Sequence, residues 1–515
     1  MRYPSHGAHN AGMNAPGRAY ALTDDPDLPA RLREALATAD YTYRAVEHVL
    51  GEQAMAALHR NETTPAALRL AGERSDLATL IRLFVLARPV PAAPAHRALP
   101  GLVPPLLRAG VLAEAGEDVR AALDVRPYQV DERDLWIVAD LTPGLDGKPT
   151  AVSSDYVLGV TGASTSLARL TVRQPVNSAL DLGTGCGVQA LHLAAHAGRV
   201  VATDVNERAL AIARLNLALN GIEDADVRCG SLFEPVAGQR FDLITSNPPF
   251  VISPPGQPLL TYRDAGMPGD TVVEHIVRTA PDLLTDGGWC QLVANWAVPA
   301  GEPWDRRLRS WLPQQGVDAL VVQREVLDPA QYAEVWLRDA GANQRPDYRA
   351  RYEHWLRWFD EQGIGGVGFG WINLHRRAGP RPVHRFVDQP YEVDQPVAAA
   401  VAEFEQAAAV LGGTTDPLNV RVRRSADVVQ ETVGVPGAPD PRYIVLRRTR
   451  GLRPARTVGT LEAGLVAAAD GELTAEQLLT AVAALTGQEL VADQARETVR
   501  DLVVDGFLRV PGPGA

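Results

Sequence analysis

The spacing of apolar positions changes character along the chain. Between about 26 and 122 apolar residues recur every three or four positions, as at Leu77, Leu80, Ile81, Phe84 and Val85, which predicts helices. Pro89, Pro91 and Pro94 break this run, a second helical run ends in Leu-Leu-Arg-Ala-Gly-Val-Leu at 106–112, and two β-like pieces follow near 126–130 and 135–139. From about 151 apolar runs alternate with helical stretches in the β-α-β order of a parallel sheet. Strands are expected at 178–182, 199–203, 226–229, 241–246, 289–295, 319–322 and 368–375, with helices at 188–197 and 207–220. Further on, 397–411 reads as a helix and 419–422 and 443–447 as β. Helices at 461–469, 475–486 and 493–504 precede a turn and strand at 506–510.

Helices followed by a glycine turn and short strands are the layout of a winged helix, and it occurs twice. The expected organisation is a mobile tail over 1–20, a helical, winged-helix-like domain over 21–150, an α/β doubly wound domain over 151–385, an extension without an assigned fold over 386–456 and a second winged-helix-like domain over 457–515. A stretch rich in Pro and Gly, 142–149, links the first two domains. The terminal modules serve equally well as protein-contact modules. In the last helix Arg496 and Arg500 are offset by Asp493, Glu497, Asp501 and Asp505, whereas a DNA-reading helix is normally net basic.

Composition narrows the picture. A chain of 515 residues should hold two to four domains, since single cores rarely grow beyond about 250–300 residues. The formal net charge of -12 provides no global field for nucleic acid or anionic membrane, although a local basic cleft can coexist with an acidic surface. Lys148 is the sole lysine, a bias that fits a GC-rich genome. Cys186, Cys229 and Cys290 are widely spaced, which gives no disulfide framework and no zinc site and suits a reducing cytoplasm. The first twenty residues lack an apolar core of the signal-peptide kind. The apolar stretch 80–90 is interrupted by Arg82 and Arg88 and is too short to span a bilayer, so a soluble cytoplasmic protein without a metal centre is expected.

Candidate chemistry begins at Asp181-Leu182-Gly183-Thr184-Gly185-Cys186-Gly187, where an apolar strand runs into a glycine-rich turn that opens a helix. Glycines there permit a sharp turn and close approach of a ligand, but such a turn can also simply pack a helix on a strand. The spacing is G-x-G-x-G and not the G-x-G-x-x-G of dinucleotide folds. Asp204, followed by Val205, stands at the end of the next strand, where a carboxylate can accept both ribose hydroxyls of an adenosine or cap a helix.

Asn247-Pro248-Pro249-Phe250 directly follows the strand Phe-Asp-Leu-Ile-Thr-Ser. Consecutive prolines remove two backbone donors and stiffen the loop, leaving carbonyl oxygens exposed. A planar amino group conjugated to a ring or carbonyl is a poor nucleophile. Two acceptors on its N–H bonds, here Asn247 Oδ1 and the Pro248 carbonyl, draw it towards tetrahedral geometry and aim its lone pair at a methyl donor. Phe250 can stack on the flat face of the acceptor, which is worth on the order of 1–3 kcal/mol for a nucleobase. Orientation for in-line transfer contributes roughly 7–11 kcal/mol. No metal or strong base is required.

With these residues the chain resembles class I adenosylmethionine-dependent methyltransferases of the Asn-Pro-Pro-Phe type. Asp181–Gly187, Asp204 and Asn247–Phe250 look like their motifs I, II and IV, over about 155–377. The resemblance implies a Rossmann-like domain and N-methylation of an exocyclic base amine or of a glutamine amide. It further implies cofactor contacts from Asp181, Gly183, Thr184, Gly185, Gly187, Asp204, Val205, Ser231, Leu232 and Asn247. Ser231 replaces the Asp such enzymes often carry to contact the adenine amino group. Residues 262–270 are similar, without being identical, to a stretch of release-factor glutamine methyltransferases. Residues 162–166, with Thr165 as a substrate contact, resemble a segment that closes over cofactor.

For the substrate, charge and aromatic content favour nucleic acid. Residues 421–456 carry nine arginines against Asp427, Glu431 and Asp440, and residues 345–385 carry eight arginines interleaved with Trp355, Trp358, Phe359 and Trp371, with Phe386 just beyond. Such a mixture can neutralise phosphates and stack bases, or be ordinary paired surface charge over a core. The expected substrate is an exocyclic amine, adenine first, in RNA or DNA. The alternatives are a protein glutamine and, in a different class, a regulatory protein that only senses cofactor.

Overall fold

The computed structural model describes residues 25–511 except 149–151, 256–262, 264–265, 340, 342–344, 380 and 438–440. The expected tail over 1–20, the end of the linker and Tyr262, Asp264 and Ala265 of the 262–270 segment lie outside the described residues. The chain forms two compact units, 1–148 with 211–223, and 149–210 with 224–515.

In the first unit, helices Leu28–Thr38, Tyr43–Leu58, Thr64–Arg69, Ala92–Ala98 and Val103–Arg108 surround a three-stranded sheet of Val90–Pro91, Leu112–Ala115 and Asp118–Ala121. The helix expected around Leu77 to Val85 begins as Asp76–Leu80 and widens to a π-helix over Ile81–Val85. A separate antiparallel hairpin pairs Leu123–Val130 with Arg133–Asp140. Two side-chain amides of segment 211–223 extend its edge. Asn216 Oδ1 accepts from Val138 N at 2.7 Å and Asn216 Nδ2 donates to Val138 O at 2.8 Å, while Asn220 pairs with Trp136 N and O in the same way.

The second unit holds an eight-stranded sheet. Its strands are β1 (Ala179–Leu182), β2 (Val200–Asp204), β3 (Asp226–Cys229), β4 (Phe241–Ser246), β5 (Leu284–Pro299), β6 (Val317–Leu327), β7 (Ile364–Arg376) and β8 (His384–Asp388). The order across the sheet is β8-β6-β7-β5-β4-β1-β2-β3. All pairings are parallel except the two made by β7, which runs antiparallel to β5 and β6. The order reverses between β1 and β4, and the crevice at the carboxyl ends there is where open α/β sheets bind ligands. Helices α1 (Gly162–Leu170), α2 (Val188–Leu193) and α3 (Glu207–Leu219) precede and connect the first strands; α4 (Thr271–Thr279), α5 (Arg306–Trp311), α6 (Pro329–Asp339) and α7 (Tyr348–Glu361) follow. Apolar residues of β5 feed two clusters in alternation. Ala294 and Trp296 pack with Ile276 and Trp311, whereas Ala297 packs with Tyr332, Trp355 and Phe359.

After the sheet come α8 (Ala398–Gly413) and an antiparallel ribbon of Val428–Val433, Tyr443–Arg448 and Ala455–Val458. The C-terminal helices Thr460–Ala468, Ala475–Thr486 and Ala492–Val504 accompany a small sheet whose central strand, Arg421–Arg424, comes from the extension and pairs with Asp470–Thr474 and Leu508–Arg509. Among the described residues no helix is long and apolar enough to cross a membrane, and no cluster of three or more His, Cys, Asp or Glu is arranged to hold a metal.

Candidate functional site

Three strand ends lie level with one another. Leu182 of β1 pairs in register with Thr203 of β2 and with Ser246 of β4, so the next residues, Gly183, Asp204 and Asn247, leave the sheet side by side. The continuous apolar runs that made these strands recognisable bury them on both faces and fix where they stop. Thr203 O accepts both Gly183 N and Thr184 N at 2.9 Å, and Ser246 Oγ donates to Leu182 O at 2.8 Å.

The glycine turn is held from below. Asp181 is buried, and its Oδ2 accepts from Thr184 Oγ1 at 2.6 Å and from Ala190 N at 3.0 Å, tying the turn to the start of α2. Burial pushes the Asp181 carboxyl up to about 7. Its part is therefore to shape the loop. Gly183 and Gly185 have φ of 74° and 56°, a left-handed backbone that side chains strain, and a Cβ at either would meet nothing within 4 Å. The space beside the turn is open. Gly187, at φ 85°, caps α2, with its N–H on Thr184 O. Cys186 is buried, and burial pushes its thiol up to about 12.

Asp204 closes the other side. Its Oδ2 accepts from Gly185 N and its Oδ1 from Asn206 N, both at 2.9 Å, and burial raises its pKa above the usual carboxylate range. Each oxygen keeps a second lone pair for a hydroxyl donor. Asp204 O accepts from Gly230 N at 3.0 Å, which brings the Gly230–Leu232 turn against this strand end; Ser231 is exposed and Leu232 is half-buried at φ 47°. Val205 is exposed. The sequence reading missed Asn206, whose side chain donates to Asp155 O at 3.1 Å and links the strand end to the segment before α1.

The Asn247–Phe250 loop follows the third of these strand ends. Pro248 is buried, and Pro249 and Phe250 are half-buried, with the Phe250 ring 5.9 Å from that of Phe369 on β7 at an interplanar angle of 56°. Asn247 Oδ1 is buried and has no hydrogen-bond partner among the described residues. A buried acceptor left without a donor costs about 1–3 kcal/mol, so this atom is placed to accept one. Thr165, half-buried, lies in the first turn of α1, whose cap is a reciprocal Thr161–Ser164 box. That helix is fixed by Gln189 Nε2 on Ser164 O at 2.7 Å and by Trp371 Nε1 on Ser166 Oγ at 2.8 Å. An open glycine turn, a carboxylate with spare acceptor capacity and an amide oxygen without a partner among the described residues stand on neighbouring strand ends, and the turn and carboxylate fit the polar groups of adenosylmethionine.

The arginine-rich stretches differ from expectation. Every arginine between 345 and 385 except Arg381 is ion-paired, for example Arg377 with Asp318 at 2.6 Å and Arg385 with Asp505 at 2.6 Å. Trp355 and Phe359 are core. In this stretch most arginines already have a carboxylate partner and two of the aromatic rings are core, so it offers fewer unpaired charges than the sequence count implies. In 421–456, Arg447, Arg448, Arg453 and Arg456 are also paired. Arg421, Arg423, Arg424, Arg442 and Arg450 are exposed and make no ion pair among the described residues.

Comparison with known proteins gives the same picture for the central segment. Residues 160–310 match the methyltransferase small domain, and residues 38–122 match a domain of unknown function (DUF7059). The release factor glutamine methyltransferase of Yersinia pestis is 34% identical over 183 residues, 33% of this chain and 62% of that protein. That of Xylella fastidiosa is 36% identical over 22% of this chain and 46% of its own length. The ribosomal RNA small subunit methyltransferase C of Salmonella arizonae is 38% identical over 23% of this chain and 32% of its own length. The chain thus spans about half the length of the curated relatives it matches first. A solved 16S rRNA N2 G1207 methyltransferase from T. Thermophilus aligns at 22% identity over 38% of this chain and 53% of its own, with a TM-score of 0.25. The segment that matches the methyltransferase small domain, 160–310, contains the Gly183–Gly187 turn, Asp204 and the Asn247–Phe250 loop.

Proposed function

We propose that the chain is an adenosylmethionine-dependent N-methyltransferase whose acceptor is an exocyclic amino group of a base, adenine first, in RNA or DNA. The observation that carries the proposal is the buried Asn247 Oδ1, without a hydrogen-bond partner among the described residues, at the strand end beside Gly183 and Asp204. Adenosylmethionine supplies an electrophilic methyl group on a sulfonium. Asp204 would accept the ribose hydroxyls and, through Gly185 N, keep the turn in place for the rest of the molecule. Gly183, Thr184, Gly185 and Gly187 would line its path, with Asp181 shaping that turn from below, and Val205, Ser231 and Leu232 would border the adenine. Asn247 Oδ1 and the Pro248 carbonyl would accept the two amine hydrogens, Pro249 would stiffen the loop, and Phe250, backed by Phe369, would take the face of the ring, with Thr165 at the substrate side. These contacts would aim the nitrogen lone pair at the methyl carbon, and the proton lost from the methylated amine would pass to water.

The polymer would be held by Arg421, Arg423, Arg424, Arg442 and Arg450, with the flanking winged-helix-like domains presenting it. A cytoplasmic location goes with this reading. A second reading, methylation of a protein glutamine, is favoured by the ion pairing of most other arginines and by relatives named as glutamine methyltransferases. Incubation of the protein and tritiated-methyl cofactor with total RNA, genomic DNA and whole protein from cells lacking the gene tests it. Label in nucleic acid supports the first reading, label confined to protein replaces it with the second, and label in none removes both.

A further inference from the structure

The acceptor loop is gripped by a helix that lies outside the segment matching the methyltransferase small domain. Ile252, two residues beyond Phe250, is fully buried, and its N–H donates to Tyr332 Oη on α6 at 3.0 Å. The same hydroxyl accepts from Asn295 Nδ2 on β5 at 2.8 Å, and Asn295 Oδ1 is buried with no partner among the described residues. The Tyr332 ring is itself buried, edge-on to Phe359 at 6.0 Å and near Trp336 and Trp355. Buried tyrosines usually place the hydroxyl on a partner, and here the partner is the backbone of the acceptor loop.

A second contact follows one and two helical turns later. Val251 N donates to Arg263 O at 3.0 Å. The Arg263 guanidinium lies 5.8 Å over the Trp336 ring and donates to Trp336 O at 2.9 Å and to Asp339 Oδ2 at 3.3 Å. Tyr332, Trp336 and Asp339 follow the i, i+4, i+7 spacing that puts side chains on one helical face. The run Asn-Pro-Pro-Phe-Val-Ile-Ser-Pro-Pro contains amide hydrogens only at Asn247, Phe250, Val251, Ile252 and Ser253, because the other four residues are prolines. Two of these five are therefore used to tie the loop towards α6.

We infer that Tyr332, seated on Asn295, is a positioning residue that sets the Asn247–Phe250 loop for methyl transfer by holding the Ile252 amide. This rests on the reading of that loop as the acceptor site. Ring packing alone would need only a phenyl group at this position. The hydroxyl matters because a misplacement of about 1 Å at a reacting group can lower a rate by 10²-fold.

The test is Tyr332→Phe in the full-length protein, with Tyr352→Phe as control. Tyr352 belongs to the same aromatic cluster, but its hydroxyl donates to Glu334 Oε1 at 2.9 Å and does not touch the loop. Hydrogen exchange read on a peptide covering 248–255 should be roughly fivefold faster at one amide in Tyr332→Phe and unchanged in Tyr352→Phe, since the lost bond is one hydrogen bond of ordinary strength. On the substrate that accepts label, kcat should fall about tenfold with KM for adenosylmethionine within about twofold, the pattern of an interaction made in the transition state. Combined with Asn247→Ala, Tyr332→Phe should cost less than it does alone, because part of its effect runs through that residue. Unchanged exchange, an unchanged kcat, or losses that multiply in the double variant overturn the inference. A wild-type protein that methylates nothing sinks the methyltransferase reading instead, and the exchange comparison still decides whether Tyr332 anchors the loop.

Discussion

The Ser246 hydroxyl donates to the Leu182 carbonyl at 2.8 Å, joining the last residue of the strand before Asn247 to the last residue of the strand before Gly183. One hydrogen bond thus spans the division between the turn read as the cofactor site and the loop read as the acceptor site. Ser246→Ala should destabilise the protein by about 1 kcal/mol, the ordinary net worth of a buried hydrogen bond, seen as a shift in the denaturation midpoint without a change in slope. No shift would mean that the register of β1 and β4 alone sets the two strand ends.

Asp204→Ala removes the acceptor for Gly185 N as well as the proposed ribose contacts. Hydrogen bonds to charged groups are worth about 1.5–3 kcal/mol, so affinity for adenosylmethionine should fall at least roughly tenfold by calorimetry. Unchanged affinity would place the cofactor elsewhere.

Asp181 gives a pH signature. Its folded-state pKa is raised to about 7, above the ordinary carboxylate value of about 3.9 in an unfolded chain. A raised value means that the fold favours the protonated form, so its stabilising share is complete below about pH 4 and is lost as pH rises through about 7. Asp181→Asn keeps an oxygen for Thr184 and Ala190 but cannot ionise. The melting temperature of wild type relative to this variant should therefore fall between pH 4 and pH 7. A pH-independent difference would show that Asp181 does not titrate there.

The strands β1, β2 and β4 were legible because they are mostly apolar and mostly buried, and Gly183, Asp204 and Asn247 were legible because they stand at or just beyond their ends, whereas β3, Asp-Val-Arg-Cys, carries little apolar signal of its own. Long-range partners were not legible. Tyr332 and Ile252 are 80 residues apart, and nothing local marks either as half of a contact. The partners of the arginines were hidden for the same reason. Arg448 meets Glu403, Arg453 meets Asp394 and Arg385 meets Asp505, carboxylates that lie outside the charge windows counted along the sequence. β8 is a short edge strand whose first four residues are all half-buried, so it shows neither alternation nor a continuous apolar run.

Arg421, Arg423 and Arg424 carry the polymer reading. If they hold phosphates, log K against log salt should have a slope near -0.7 per contact for a single strand, and the triple change to Ala should flatten it by up to roughly two units. Adenosylmethionine affinity should not move. Filter binding with RNA and DNA oligomers at several salt concentrations reads this directly, and absence of salt-dependent association with either would favour the glutamine reading.

Asn247 Oδ1, which has no hydrogen-bond partner among the described residues, is proposed to accept from the amine of the acceptor. The most direct measurement is single-turnover methyl transfer by Asn247→Ala on the polymer that takes up label, alongside calorimetry with adenosylmethionine. The transfer rate should fall by roughly 10²–10³, the size of effect of deleting one preorganised polar contact in a transition state, while cofactor affinity stays nearly intact. A variant that transfers methyl at the wild-type rate would contradict the account.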